Sequence, residues 1–346
     1  MIKEENLVID GSLGEGGGQI LRTSISLAAI LGKTVEIQNI RSKRKNPGLN
    51  FQHLHSVKTI SKLCNGEVLN AYLGSQSIKF KPNKLIERNL EVDIGTAGSI
   101  TLLLQAIIPT VALSNIDLKI TIKGGTDVKW SPTINYLQEV YRPIYRILGI
   151  EFDVKLIRRG YYPKGNGKVE VIIKKASKIR SIKLTNRNIR EVNLFISSYN
   201  ENIINKIKKT IITKLIENNV TVDNTETEIT TSMSPGCTML LYSVNNDNTF
   251  IGSDNVNNKN MNEYEIGTKC AETFLREVKS YSSIDKNLAD MIILPLSLAD
   301  NKSEFITSNI TEHLRTNLEI NKLFTSCKYD IQEENSIVTL YPNNQS

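Results

Sequence analysis

Histidine is scarce in this chain: His53, His55 and His313 are the three in 346 residues. His313 lies in the run Asn309-Ile-Thr-Glu312-His-Leu-Arg-Thr-Asn317. Asn309 followed three residues later by Glu312 has the form of a capping box, which places His313 in the first turn of a helix. There the helix dipole disfavours an imidazolium and favours a phosphate. A neutral imidazole facing phosphate is what a nitrogen nucleophile requires. An ordinary surface or capping histidine would read the same way. His53 and His55 sit two apart on a predicted helix, point to different sides and cannot share a metal.

The second chemical segment is Asp10-Gly-Ser-Leu-Gly-Glu15-Gly-Gly-Gly-Gln-Ile-Leu-Arg22. Glycines between a strand and a helix let the backbone approach a ligand and offer N–H groups to phosphate. It lacks the Lys of a P-loop, and Gln19 occupies the last glycine position of a dinucleotide fingerprint. Glu15, Gln19, Arg22 and Ser26 recur at helical spacing and share one polar face. A carboxylate beside an arginine near such a turn suits a metal-bound polyphosphate. It equally suits a tight turn with a surface ion pair. Downstream, Arg41, Lys43, Arg44 and Lys45 precede Pro47-Gly48, a plausible phosphate clamp or a solvated charge run.

These groups need a frame, and the chain repeats one three times as roughly βαβαββ. The first copy reads as strand Leu7–Asp10, helix Gly17–Leu31, strand Thr34–Ile40, helix Pro47–Cys64 and short strands at Glu67–Leu73 and Ser77–Phe80. Leu21, Ile25, Ala28 and Ala29 give its first helix an apolar face. The second copy runs from Glu91–Ile94 through an apolar helix to Leu113, strand Ile116–Ile122, a helix from Ser131-Pro132 to Leu148, and strands at 152–156 and 168–173. The third has the apolar helix Leu288–Leu298, strand Glu304–Thr307 and helix Ile310–Phe324. Residues 187–278 differ in texture, with the polar run Asn245–Asn262 and a helix-like stretch Glu201–Glu217. The predicted class is therefore α/β (α+β): three βαβαββ repeats in a large domain, residues 1–186 plus 279–346, with a smaller inserted α/β domain at 187–278.

Composition agrees with a globular chain. Hydrophobic residues make up 40% and charged residues 23%, outside the disordered regime. The net charge of +7 favours an anionic partner such as RNA, DNA or a nucleotide. No stretch reaches the roughly 18 apolar residues of a membrane span. MIKEENLVID carries charges where a signal peptide needs an apolar core, so a cytoplasmic protein is expected. Cys64, Cys237, Cys270 and Cys327 form no CxxC pair and read as reduced thiols.

Together the segments resemble the RNA 3′-terminal phosphate cyclase family. The matching stretches are DGSLGEGGGQILRT, Ile40–His53, LLLQAIIP (Leu102–Pro109), GGTD (Gly124–Asp127), YYPKGNG (Tyr161–Gly167), LAD (Leu288–Asp290) and HLRTN (His313–Asn317), in family order. The resemblance implies three repeats with one inserted domain. It implies an ATP-dependent ligase that converts an RNA 3′-phosphate to a 2′,3′-cyclic phosphate through a histidine–AMP and an RNA(3′)pp(5′)A intermediate, releasing diphosphate and AMP, aided by Mg2+ or Mn2+. Carried over residue by residue, His313 matches the adenylated histidine and Glu15 the glutamate near metal and triphosphate. Gln105, Asn287, Leu288, Ala289, Asp290 and Met291 match ATP contacts, and Pro132 the proline packed on adenine. Arg22, Arg41, Arg44, Gln52 and His53 match positions that hold the triphosphate or the RNA end.

Two positions depart from the pattern. Asn287 stands where the bacterial members have an aromatic on adenine, and Met291 where Gln is frequent. Tyr281 and Trp130 are the aromatics that could replace the lost stacking. The Lys-x-Asp-Gly of lysine-adenylating enzymes is absent, since Asp10-Gly11 follows Val8-Ile9. A competing expectation is a non-catalytic cyclase-like RNA-binding or rRNA-processing factor, against which retention of His313 and Glu15 argues. An enolpyruvyl-transferase-like enzyme on the same repeat architecture is a weaker third.

Overall fold

The computed structural model describes residues 6–86, 88–185, 189–245, 249–257 and 262–343. The first copy comprises β1 (Leu7–Asp10), α1 (Gly18–Leu31), β2 (Val35–Gln38), α2 (Phe51–Cys64), β3 (Glu67–Leu69) and β4 (Ile78–Lys81). The second comprises β5 (Arg88–Asp93), α3 (Ile100–Leu113), β6 (Leu118–Gly124), α4 (Ile134–Tyr136), a π-turn Leu137–Tyr141, α5 (Arg142–Ile147), β7 (Phe152–Arg158) and β8 (Gly167–Ile173). Their sheets have one topology, β1-β2-β4-β3 and β5-β6-β8-β7, with the first two strands parallel and the rest antiparallel.

The third copy opens earlier than its sequence pattern indicates. Its first strand is β9 (Lys183–Leu184), only two residues, too short to show an alternating pattern. The chain then leaves this sheet to form β10 (Asn193–Ser198), α6 (Glu201–Ile216), β11 (Asn224–Ile229), β12 (Cys237–Asn245), β13 (Thr249–Val256) and α7 (Glu263–Lys279). These strands make a separate sheet, β11-β10-β12-β13, with an apolar cluster of its own beneath α6 and α7. The chain returns as α8 (Lys286–Met291), α9 (Ile293–Leu296), β14 (Ser303–Ile306), α10 (Glu312–Thr325), β15 (Lys328–Gln332) and β16 (Ile337–Tyr341). The third sheet, β9-β14-β16-β15, reproduces the order of the other two. The predicted junction between 186 and 187, and part of the polar run 245–262, lie outside the described residues.

Proline breaks two helices predicted as continuous. The 131–148 helix widens into the π-turn, where Arg142 N–H reaches back to Leu137 O; Pro143 has no N–H for the next turn of the ladder. The 288–298 helix splits at Ile292. Pro295 cannot donate to Met291 O, and the Tyr145 hydroxyl donates there instead, at 3.0 Å.

The copies meet through their helices. α1 packs on α2, α3 and α10, and Ile20, Leu21, Ile25, Leu27 and Ala28 are buried. Each large side chain buried there stabilises by about 1.5–3 kcal/mol. α3 is apolar on nearly all sides because α1, α2 and the strands β6 and β8 pack around it. The four cysteines are buried and unpaired with one another. Among the described residues no helix is long and apolar enough to cross a membrane.

Candidate active site

The glycine turn between β1 and α1 carries the close approaches its composition implies. A Cβ on Gly17 would lie 3.4 Å from Arg44 Nη2 and 3.5 Å from His313 Cε1. On Gly18 it would lie 1.9 Å from His53 Nε2. The turn therefore gathers the basic loop, the start of α2 and the start of α10 around residues 14–18.

His313 occupies the first turn of α10 as expected, with a different cap. Thr311, not Asn309, is the N-cap, and its hydroxyl accepts from Leu314 N at 3.1 Å. A hydroxyl two positions nearer the first apolar residue, Leu314, takes the role the sequence pattern offered to Asn309. Gln19 Nε2 donates to His313 O at 2.8 Å, tying α1 to α10. His313 Nε2 lies 3.7 Å from Glu15 Oε2, and Arg44 Nη2 lies 3.2 Å from the same oxygen. Burial holds the His313 pKa below its ordinary value; Glu15 opposes this, and Arg44 and Arg22 reinforce it. The shift favours the neutral imidazole, the form a nucleophilic nitrogen requires.

The basic run divides its work. Arg41 Nη1 donates to Gly48 O at 2.9 Å, Lys43 Nζ to Gly14 O at 2.8 Å, and Arg44 binds Glu15. Three of its four cations thus fix the glycine turn and its own loop. His53 is buried, and its Nδ1 accepts from Asn50 N at 3.5 Å within a capping box. Nε2 then carries the proton of the neutral ring. Burial, with Arg22 and Arg41 adding repulsion, pushes its pKa down to about 3. The Gln52 Nε2 is buried and has no hydrogen-bond partner.

Beside His313 opens a cavity of about 570 Å³. Of the predicted residues, Arg22, Gln105, Pro132, Asn287, Asp290, Met291 and His313 line it. Leu288 and Ala289 do not: both are fully buried in the core, because α8 turns one face inward and one toward the cavity. Glu15, Arg41, Arg44, Gln52 and His53 stand outside its wall. Burial draws Arg22 down to about 10, against the pull of Asp290, so it stays cationic. Burial pushes Asp290 up to about 7, against Arg22. Gln105 Nε2 rests 3.2 Å from Met291 Sδ.

Three groups here were missed by sequence reasoning. Asp285 caps α8, accepting from Asn287 N and Leu288 N at 2.9 Å, from the Tyr136 hydroxyl, and from Gly252 N at 2.9 Å. It is fully buried, and burial with Glu277 nearby pushes its pKa up to about 8. An Asp three residues before an apolar helix position is a cap signal, so Asp285 was findable. Asp254 and Lys269, from β13 and α7, line the cavity, whereas Asp285 lies behind its wall and holds α8 in place. Asp254 Oδ2 accepts from Thr133 N at 2.6 Å, and burial raises its pKa to about 6. Nothing local marks these two.

The sequence pattern of the RNA 3′-terminal phosphate cyclase family matches residues 13–331. A protein named RNA 3′-terminal phosphate cyclase from Pyrococcus abyssi is 37% identical over 331 residues, covering 95% of this chain and 96% of that one. Its namesake from Pyrobaculum aerophilum is 35% identical over 329 residues, 94% of each chain. That from Caldivirga maquilingensis is 34% identical over 345 residues, 97% of this chain and 98% of the relative.

Proposed function

Because this chain belongs to the RNA 3′-terminal phosphate cyclase family, we propose that it cyclises RNA 3′-phosphates with ATP and that His313 is the group that becomes adenylated. The observation that carries this reading is the position of His313, 3.7 Å from Glu15 and on the wall of the cavity.

In the first step His313 Nε2 attacks the α-phosphorus of ATP. An N–P bond forms, the bond to the bridging oxygen breaks, and diphosphate leaves. Arg22 and Arg44 offset the charge that gathers in the transition state. In the second step an oxygen of the RNA 3′-phosphate attacks the same phosphorus, and the P–N bond breaks to restore the imidazole. In the third the ribose 2′-oxygen, losing its proton, attacks the RNA 3′-phosphorus and expels AMP. The detour is needed because a dianionic 3′-phosphate has no leaving group of its own; covalent catalysis splits that barrier into smaller ones.

Gln105, Pro132, Asn287, Asp290 and Met291 hold the nucleotide in this reading. Arg41, Gln52 and His53 face the triphosphate or the RNA end; the unpartnered Gln52 amide supports a polar ligand there. Among the described residues no three His, Cys, Asp or Glu side chains gather as a metal cage. Glu15 with ATP phosphates instead suits Mg2+ or Mn2+, which would supply charge neutralisation. Residues 187–278 act as an inserted unit that completes the cavity with Asp254 and Lys269.

Incubation with α-labelled ATP and Mg2+ tests the reading. An acid-labile, base-stable adenylate is expected, and none on His313→Ala. Undiminished label on that variant would overturn it.

A further inference from the structure

Outside the cavity, next to Gln52 and His53, a patch of apolar side chains stands in water with no work in the steps above. Phe51 is the first residue of α2 and directly precedes Gln52, yet it is 46% exposed. Tyr72 and Leu73, in the turn between β3 and β4, are 60% and 45% exposed. None of the three lines the cavity. Large apolar side chains gathered at a surface mark a contact rather than a need of the core. The loops that carry them are pinned together. Leu49 N donates to Ser75 O at 2.9 Å and Gly74 N donates to Leu49 O at 2.8 Å, an antiparallel pair of bonds that runs residues 49–51 beside residues 72–75. A Cβ on Gly48 would lie 2.2 Å from Gly74 O, so only glycine lets the two loops come this close. Gly48 N donates to Ile40 O at 2.8 Å and Ile40 N to Gln76 O at 2.9 Å, which closes the basic loop 41–47 onto the same support. Arg41, Lys43 and Arg44 are engaged in bonds within the protein. Lys45 is exposed and has no hydrogen bond or ion pair among the described residues.

We infer that this surface holds the RNA strand upstream of its 3′-phosphate, with Phe51 and Tyr72 against unpaired bases and Lys45 against a phosphodiester of the same strand. This rests on the reading of the chain as an RNA 3′-phosphate cyclase, and it adds the form of the substrate: a single-stranded end. Exposed aromatic rings beside a free cation are the composition of a single-strand track, which takes bases by their faces without regard to sequence. A paired end keeps its bases inside the helix and cannot use such rings. The patch adjoins Gln52 and His53, so it lies where a strand leaves the site. Rings on pinned loops lose little freedom on binding.

Substrate length tests this in the full chain. Two single-stranded RNA 3′-phosphates are compared: a dinucleotide, too short to cover both rings, and an oligomer of about ten nucleotides, within the span of single-strand sites. Cyclisation gives KM and kcat, and fluorescence anisotropy gives binding of the oligomer without turnover. The double variant Phe51→Ala with Tyr72→Ala should raise the KM of the oligomer roughly tenfold or more. The KM of the dinucleotide should move less, and kcat and adenylate labelling should hold. Phe51→Tyr with Tyr72→Phe should restore most of the loss. Lys45→Gln should flatten the salt dependence of oligomer binding by about 0.7 in the log–log slope. Equal oligomer KM in wild type and the double alanine variant overturns the track. An equal rise for both lengths overturns it too, by assigning the rings to the fold. So does a change of oligomeric state in place of KM, which would assign the patch to a second copy of the chain. If the double variant loses oligomer binding but wild type forms no adenylate, the track stands and the cyclase reading falls. Neither binding nor adenylate in wild type would overturn both.

Discussion

Gly18 and His53 compete for one space: a Cβ at Gly18 would stand 1.9 Å from Nε2 of the histidine. His53 cannot retreat, because it is buried and closes the capping box at the head of α2. Gly18→Ala should therefore push the ring toward Arg22 and Arg41 and cost about 1–3 kcal/mol by overpacking. Thermal melting gives the stability loss. Adenylate labelling should fall by more than that loss explains, because the turn carrying Glu15 moves with it.

His53 also makes stability depend on pH. Its folded pKa lies near 3 and its unfolded value near 6.5, so between these the unfolded chain binds more protons. Stability from this group is complete above pH 6.5 and is lost as pH falls toward 3, at no more than about 1.4 kcal/mol per pH unit. Asp285 and Asp290, raised to about 8 and about 7, act in the opposite sense as pH falls. The difference between wild type and His53→Gln in chemical denaturation isolates the histidine: it should narrow steadily from pH 6.5 to 4. A constant difference would contradict the buried neutral ring.

Gln52 separates binding from stability. A buried amide nitrogen without a partner costs about 1–3 kcal/mol. Gln52→Leu should leave the melting temperature equal or higher while slowing cyclisation of an RNA 3′-phosphate. A lower melting temperature with normal cyclisation would show that the amide serves the fold.

Arg159 tests the structural side. It is 2% exposed, with Nη1 3.1 Å from the fully buried Asp127, Nη2 2.6 Å from Glu228 on β11, and Nη2 2.9 Å from Asn135 Oδ1. Arg159→Ala strands the Asp127 charge and should cost about 3–5 kcal/mol. Glu228→Gln should cost less, because that carboxylate is 37% exposed. Denaturant midpoints for the two variants check the order.

Lys269 asks whether the inserted unit reaches the nucleotide. It lies on α7, far in sequence from the glycine turn, and lines the same cavity as His313. Lys269→Glu should weaken ATP binding, by a factor that shrinks as salt rises. Calorimetric titration at two ionic strengths measures this.

Much of this molecule was legible before folding. Helical spacing in Leu21, Ile25, Ala28 and Ala29 and a glycine-marked turn are local signals, and α1, α3 and α10 formed close to where the sequence placed them, whereas α2 begins at Phe51 behind its Asn50 cap rather than at Pro47-Gly48. His313 in a first helical turn followed from local pattern too, although Thr311 rather than Asn309 caps it. The residues of the basic run could be named, but not their division between bracing the turn and facing a ligand. Two-residue β9 was beyond any periodicity, and Pro143 and Pro295 acted through carbonyls whose other partners are distant. Above all, a cavity wall has no local signature. Gln19, Gln105, Trp130, Asp254, Asp290 and His313 meet because three helices pack on α1 and an inserted sheet closes one side. Side-chain direction across such contacts depends on burial against neighbours hundreds of residues away, and only the tertiary structure sets it.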